Sequence, residues 1–287
     1  MKFKGRARST NVEDRRGGGG GGGRGKAIGG LGIGGIVVLV IYVLLGGDPE
    51  GLIDQGALQG GASTENYVPS AEEEELAEFV MVTLKDTETV WHKLFREQLG
   101  DTYSEPTLVL FSGSVSSACG NASAATGPFY CGADKKLYID LSFYKELKDR
   151  FKAPGDFAMA YVVAHEVAHH VQNLQGTTTM VHKQHGQLNQ KEYNKLSVKL
   201  ELQADFLAGV WAHYAEHMLG ILEAGDIEEA LNAANAIGDD RIQKMGRGVV
   251  VPDAFTHGSS EQRVRWFKKG YESGNVADGD TFNARNL

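Results

Sequence analysis

From Tyr161 to Leu174 the chain reads YVVAHEVAHHVQNL, preceded by FAMA. Apolar residues recur on nearly every face of the helix this stretch would form, so the helix must be enclosed by protein on most sides. A domain folds around such an element. Four polar side chains are carried in with it: His165, Glu166, His169 and His170. Buried imidazoles and carboxylates need partners, and a metal ion supplies one to several at once.

Successive helical residues lie about 100° apart, and residues four apart share a face. With His165 at 0°, His169 falls at about 40°, Glu166 at about 100° and His170 at about 140°. Phe157, Ala160, Tyr161, Ala164, Ala168 and Val171 form a separate apolar stripe. His165 and His169 border that stripe and form the natural ligand pair. The spacing HExxH puts two nitrogens on a divalent metal and leaves Glu166 beside the open coordination position, able to take a proton from water. His170 points elsewhere, toward Met159 and Val163.

Two ligands do not make a site. Glu201 follows His169 by 32 positions, in KLELQADFLAGVW. Glu201 and Asp205 are again four apart, on one face of a second helix. Glu201 would complete a His₂Glu set, and Asp205 could accept the outer N–H of a ligand histidine and fix its tautomer. A solvated acidic face is the plainer reading, but Leu200, Leu202, Ala204, Phe206, Leu207 and Ala208 surround the pair and argue for burial.

Charge is unevenly spread. Of 29 basic and 37 acidic side chains, eight basic and two acidic fall in residues 1–26, leaving 21 against 35 in the rest. An acidic body argues against nucleic acid as a partner, because phosphate binding needs Lys and Arg. The basic end is followed by Ala27 to Gly47, 21 residues without a charge. That is long enough to cross a bilayer core of about 30 Å. With basic residues before it and acidic residues after it, the expected arrangement is a single span, N-terminus in the cytoplasm, remainder outside the cell membrane. A cleaved signal peptide and a buried core helix are the alternatives. Cys119 and Cys131, the only cysteines, would then face an oxidising compartment and pair, or remain two buried thiols.

The expected organisation is a disordered, glycine-rich basic tail (1–26), a transmembrane helix (27–47), a linker (48–68) and one folded domain (69–287). Ser70 and Glu73 form a capping-box pattern at the domain's first helix. Thr107–Phe111 and 136–141 read as strands, and helices are predicted near 142–152, 156–175, 188–218, 226–237 and from Ser259. The order gives an α+β fold, mainly helical with a small sheet.

HEVAHH followed by ELQAD resembles the zincin metallopeptidases with a glutamate ligand. With CGNASAATGPFYC, KLYIDLSFY and FTHGSSEQRVRWF, most of residues 70–285 resembles the bacterial, membrane-anchored putative neutral zinc metallopeptidase family. The resemblance implies a zincin-like domain holding one Zn2+ on His165, His169 and Glu201. It makes Glu166 the general base and then acid, and Asp205 the partner of His165. KLYIDL would be the edge strand along which an extended peptide or protein substrate is bound. His257, just before a capped helix, would donate a hydrogen bond to the oxyanion, or else be an ordinary loop or capping residue. His213, Tyr214 and His217 are weaker candidates; His92, His182 and His185 are read as solvated. Phe206 and Asp280 stand where many members have further cysteines. The rival is a metal-stabilised, membrane-tethered scaffold that binds without cleaving, for which Glu166 beside an open position has no use.

Overall fold

The computed structural model describes residues 1–17 and 67–287. Ser70 caps helix α1 (Ala71–Leu94), its hydroxyl accepting the Glu73 N–H, while Glu72, Glu73 and Glu74 sit at the positive end of the helix dipole. Phe79, Val80, Val82, Leu84, Val90, Trp91 and Leu94 of this helix are buried. Strands β2 (Thr107–Phe111) and β6 (Lys136–Asp140) lie parallel and side by side. Between them in sequence come a hairpin, β3 (Ser114–Ser117) with β4 (Gly120–Ser123), and the short strand β5 (Phe129–Cys131).

Helices follow: α2 (Ser142–Asp149), α3 (Asp156–Leu174), α4 (Thr177–His182), α5 (Gln190–His217), α6 (Asp226–Ala236), α7 (Asp239–Arg247) and α8 (Ser260–Ser273). The fold is mixed α+β, mostly helical with a small sheet. Helix α3 is its axis: Phe157, Ala160, Tyr161, Ala164, Ala168 and Val171 are each buried in the main core. Helices α5 and α8 pack backbone to backbone. A Cβ on Gly209 would fall 2.0 Å from the Phe267 carbonyl oxygen, and one on Gly270 would fall 1.9 Å from that of Phe206. Only glycine allows this approach.

Three expectations change. First, KLYIDL is not an edge. The sheet order is β1 (Val12–Asp14), β2, β6, β5, so β6 is paired on both sides and, among the described residues, the free edge near the helices is β5, antiparallel to β6. The apolar run of a doubly paired strand resembles that of an edge strand in sequence, whereas the three residues of β5 carry little pattern.

Second, residues 1–17 are not a disordered tail. Val12–Asp14 forms β1, parallel to β2 with Val12 opposite Leu108 and Asp14 opposite Leu110. The Arg6 guanidinium reaches Asp86 at 2.7 Å, and the Ser9 hydroxyl and Asn11 amide both donate to the buried Glu88. The Met1 amino group lies 2.9 to 3.2 Å from Asp156, Glu223 and Asp226. The basic residues of the segment meet acidic residues of the domain.

Third, β1 and β2 share a sheet, so residues 1–17 lie beside the domain from which a membrane was expected to separate them. The span expected at 27–47, residues 18–26 of the tail and 48–66 of the linker lie outside the described residues. Among those described, no helix is long and apolar enough to cross a membrane.

Cys119, in the β3–β4 turn, is bonded to Cys131 at the end of β5. With Val109, Phe111, Val115 and Tyr138, Cys131 forms a second, smaller core on the sheet face away from α3. Closing a loop of this size contributes about 3 kcal/mol in the chain-entropy view. Helix α7 was not foreseen: its sequence DDRIQKMGR buries only Ile242 among apolar side chains, which is too sparse for a periodic signal.

Candidate active site

His165 and His169 sit one turn apart on α3, and Glu201 faces them from α5. One ligand atom from each lies within 4.8 Å of the others. His165 Nε2 is 3.2 Å from Glu201 Oε2, and His169 Nε2 is 3.6 Å from the same oxygen. Tetrahedral zinc with bonds of 2.0–2.1 Å separates its ligands by about 3.4 Å. Both histidine–Glu201 separations fit such an ion, and two imidazoles with one carboxylate are a zinc donor set.

The outer side of His165 is fixed by a buried polar network. Asp205, fully buried, accepts from His165 Nδ1 at 2.9 Å and from the Tyr161 hydroxyl at 2.5 Å. Arg263, 3% exposed, closes it: Nε donates to Asp205 Oδ2 at 2.8 Å, Nη2 to Oδ1 at 3.0 Å and to the Tyr161 hydroxyl at 3.1 Å. Burial alone would push the Asp205 carboxyl up, but Arg263 and His165 outweigh it and hold it at about 2. Asp205 therefore stays ionised, His165 keeps its proton on Nδ1, and Nε2 is left for the cleft. Burial would push His165 down; Asp205 and Glu201 reverse this and lift it to about 9, so the pocket favours a cation. Glu201 is held well below the usual carboxylate range, because His169, His257 and His165 overcome its burial.

His169 Nδ1 meets the side-chain carbonyl of Gln172 at 2.9 Å, and Gln172 in turn donates to the Leu200 carbonyl at 2.7 Å. Each histidine thus has its outer nitrogen held, one from α5 and α8, the other from within its own helix. Glu166 lies beside them, 8% exposed, its carboxyl raised by burial against the opposing pull of His169 and His165. A carboxylate made more basic by desolvation is suited to proton transfer.

His257 lines the same cleft, which encloses about 640 Å³. Its loop is gathered by Asp239: Oδ2 accepts the N–H groups of Thr256, His257 and Gly258 at 2.7, 2.6 and 3.0 Å, and Oδ1 lies 3.2 Å from His257 Nδ1. Burial lowers the His257 imidazole, but Glu201 and Asp239 raise it above its ordinary value. Asp239 accepts from Nδ1–H, so Nε2 is a second donor when the ring is the imidazolium that these carboxylates favour.

His170 takes no part in this cluster. It is fully buried between β5 and the segment before β2, 2.9 Å from the Tyr130 hydroxyl and 2.6 Å from the Ser104 carbonyl, and burial pushes it down to about 4. His182 stands at the rim of the cleft, whereas His213 and His217 stack on each other on α5 without lining it. Sequence reading missed Tyr161, Arg263 and Asp239 as site residues. Tyr161 stood within the apolar stripe, and Arg263 lay in the quoted RVRWF with nothing local to mark its partner.

A profile of the putative neutral zinc metallopeptidase family matches residues 1–282, including the N-terminal segment. The uncharacterized protein YpfJ of Escherichia coli K12 is 47% identical over 291 residues, covering 98% of this chain and 99% of its own. The uncharacterized proteins Mb2605 of Mycobacterium bovis and Rv2575 of Mycobacterium tuberculosis H37Rv are each 40% identical over 272 residues, covering 85% of this chain and 86% of their own. No solved structure matches. The chain belongs to the putative neutral zinc metallopeptidase family.

Proposed function

We propose that this protein is a zinc-dependent endopeptidase that cleaves extended peptides laid along β5. The observation that carries the reading is the convergence of His165, His169 and Glu201 in one cleft with a buried Glu166 whose carboxyl burial raises. Zinc held there would polarise a carbonyl and lower the pKa of water to about 7. Glu166 takes the proton of the attacking water on its carboxylate and returns it to the leaving nitrogen. Protonated His257 donates from Nε2–H to the carbonyl oxygen as negative charge builds on it. Asp205, with Arg263 and Tyr161 behind it, keeps His165 in the ligand tautomer. The unpaired backbone edge of β5 supplies main-chain hydrogen bonds to a substrate strand.

Association with a bilayer through residues 27–47 and an oxidising compartment for the folded part complete the reading, supported by the uncharged run and by the Cys119–Cys131 bond. The decisive experiment is digestion of a peptide library by the zinc-loaded protein, with and without chelator, alongside Glu166→Gln. Cleavage that chelator abolishes is expected, with one zinc retained and cleavage reduced by roughly 10²–10⁴ in the variant. Zinc bound without cleavage of any peptide would instead favour the scaffold, and full activity of Glu166→Gln would remove its assigned role.

A further inference from the structure

The third histidine of HEVAHH is the one the metal does not use, yet it is completely buried and fully hydrogen-bonded. The Ser104 carbonyl can only accept, so His170 Nε2 carries the proton and donates to it at 2.6 Å. Nδ1 is then an acceptor, and the Tyr130 hydroxyl donates to it at 2.9 Å. The same hydroxyl accepts from Asn173 Nδ2 at 3.1 Å, and that amide also reaches the Gly132 carbonyl at 3.4 Å. A continuous chain of hydrogen bonds therefore runs from Ser104 through His170 and Tyr130 to Asn173.

Tyr130 is the middle residue of β5, whose whole ladder with β6 is three residue pairs. So short a strand with one free edge does not hold its own position. Alternation sends Phe129 and Cys131 to the opposite face, where Phe129 stacks on Tyr138 at 4.7 Å and Cys131 is bonded to Cys119. On the face toward α3, the attachment is Tyr130. Both of its partners, His170 and Asn173, come from the helix that carries His165 and His169, the first immediately after His169.

We propose that His170 is a positioning residue for peptide binding: with Asn173 it locks Tyr130, and thereby the free edge of β5, in a fixed relation to the metal-ligand helix. This rests on the peptidase reading for its consequence, but not for its geometry. The strand that receives the substrate and the helix that holds the metal are fastened at one point, one residue beyond a ligand. The Cys119–Cys131 bond fastens the far side of the same strand.

The test uses the full chain with zinc bound, as wild type, His170→Phe and Tyr130→Phe. Each variant removes one partner of the same hydrogen bond; Tyr130→Phe deletes a single oxygen and keeps the ring packing. Amide hydrogen exchange at residues 129–131 is expected to quicken about tenfold in both, the loss of one buried hydrogen bond. Exchange across residues 157–169 and a zinc content of one should not change. With a cleavable peptide, KM is expected to rise about tenfold while kcat stays within about twofold. Unchanged exchange at 129–131 in Tyr130→Phe would overturn the proposal, as would loss of zinc in that variant or a fall in kcat with KM unmoved. If the wild type cleaves no peptide, the peptidase reading fails, while the exchange measurement still decides whether His170 holds β5.

Discussion

Burial raises the Asp86 carboxyl to about 7, even with the Arg6 guanidinium 2.7 Å away pulling it down. One reason is visible at its second oxygen, which among the described residues finds no hydrogen-bond partner. Since the folded protein holds this proton between about pH 4 and pH 7 and the unfolded chain does not, ionising Asp86 costs stability, and stability falls as pH rises through that window. Asp86→Asn should leave stability at pH 4 nearly unchanged and flatten the decline above it. The gain at pH 8 is at most about 4 kcal/mol, three pKa units, the pull of Arg6 being already contained in the value of about 7. Melting temperature against pH for both proteins checks this; parallel curves would assign the pH dependence elsewhere. At this scale the sequence was readable where chemistry repeats at helical spacing. His165, Glu166, His169, Glu201 and Asp205 announce one another at intervals of one and four along two helices. Arg263 and Asp239 do not, because their partners Asp205 and His257 are 58 and 18 residues away, and no local pattern encodes a contact across such distances.

Helices α5 and α8 pack backbone against backbone, and the site depends on it. Gly209 and Gly270 let the two backbones touch, and Arg263, two turns before Gly270, is thereby brought against Asp205, one turn before Gly209. Gly270→Ala adds a methyl that must displace one helix from the other, because the obstructing atom is backbone. We expect a loss of roughly 2–3 kcal/mol, a drop of about 4–12 °C in melting temperature. We also expect weaker zinc binding, since Asp205 would lose its cation and release His165. Differential scanning calorimetry with a zinc titration reads both effects. A stability loss with unchanged zinc affinity would separate packing from the site. The helices themselves were largely legible, as amphipathic or buried periodicity survives in sequence. Strand β5 was not: three residues carry no period, and the more apolar β6 was taken for the edge it screens.

The whole molecule corrects a reading based on composition. A basic segment rich in glycine and preceding an uncharged run looks like a cytoplasmic tail, because charge and local pattern are all that such a segment offers. Its order comes instead from distant partners. Arg6, Ser9 and Asn11 meet Asp86 and Glu88 on α1, and Val12–Asp14 completes the sheet beside β2. The matched family region begins at residue 1, as expected if this segment belongs to the shared fold. From the ladder we infer that the N-terminal segment and the domain lie on one side of any membrane, whatever the run at 27–47 does. A disulfide such as Cys119–Cys131 suits an oxidising compartment, and on this inference the N-terminal segment shares it. Lys4 and Lys191 are both more than half exposed, on the segment and on the domain respectively. Lys4→Cys and Lys191→Cys, expressed singly in cells and treated as spheroplasts with a membrane-impermeant maleimide, should therefore both be labelled. Labelling of Lys191→Cys alone would mean that the segment and the domain lie on opposite sides of the membrane and that β1 never joins the sheet in the cell.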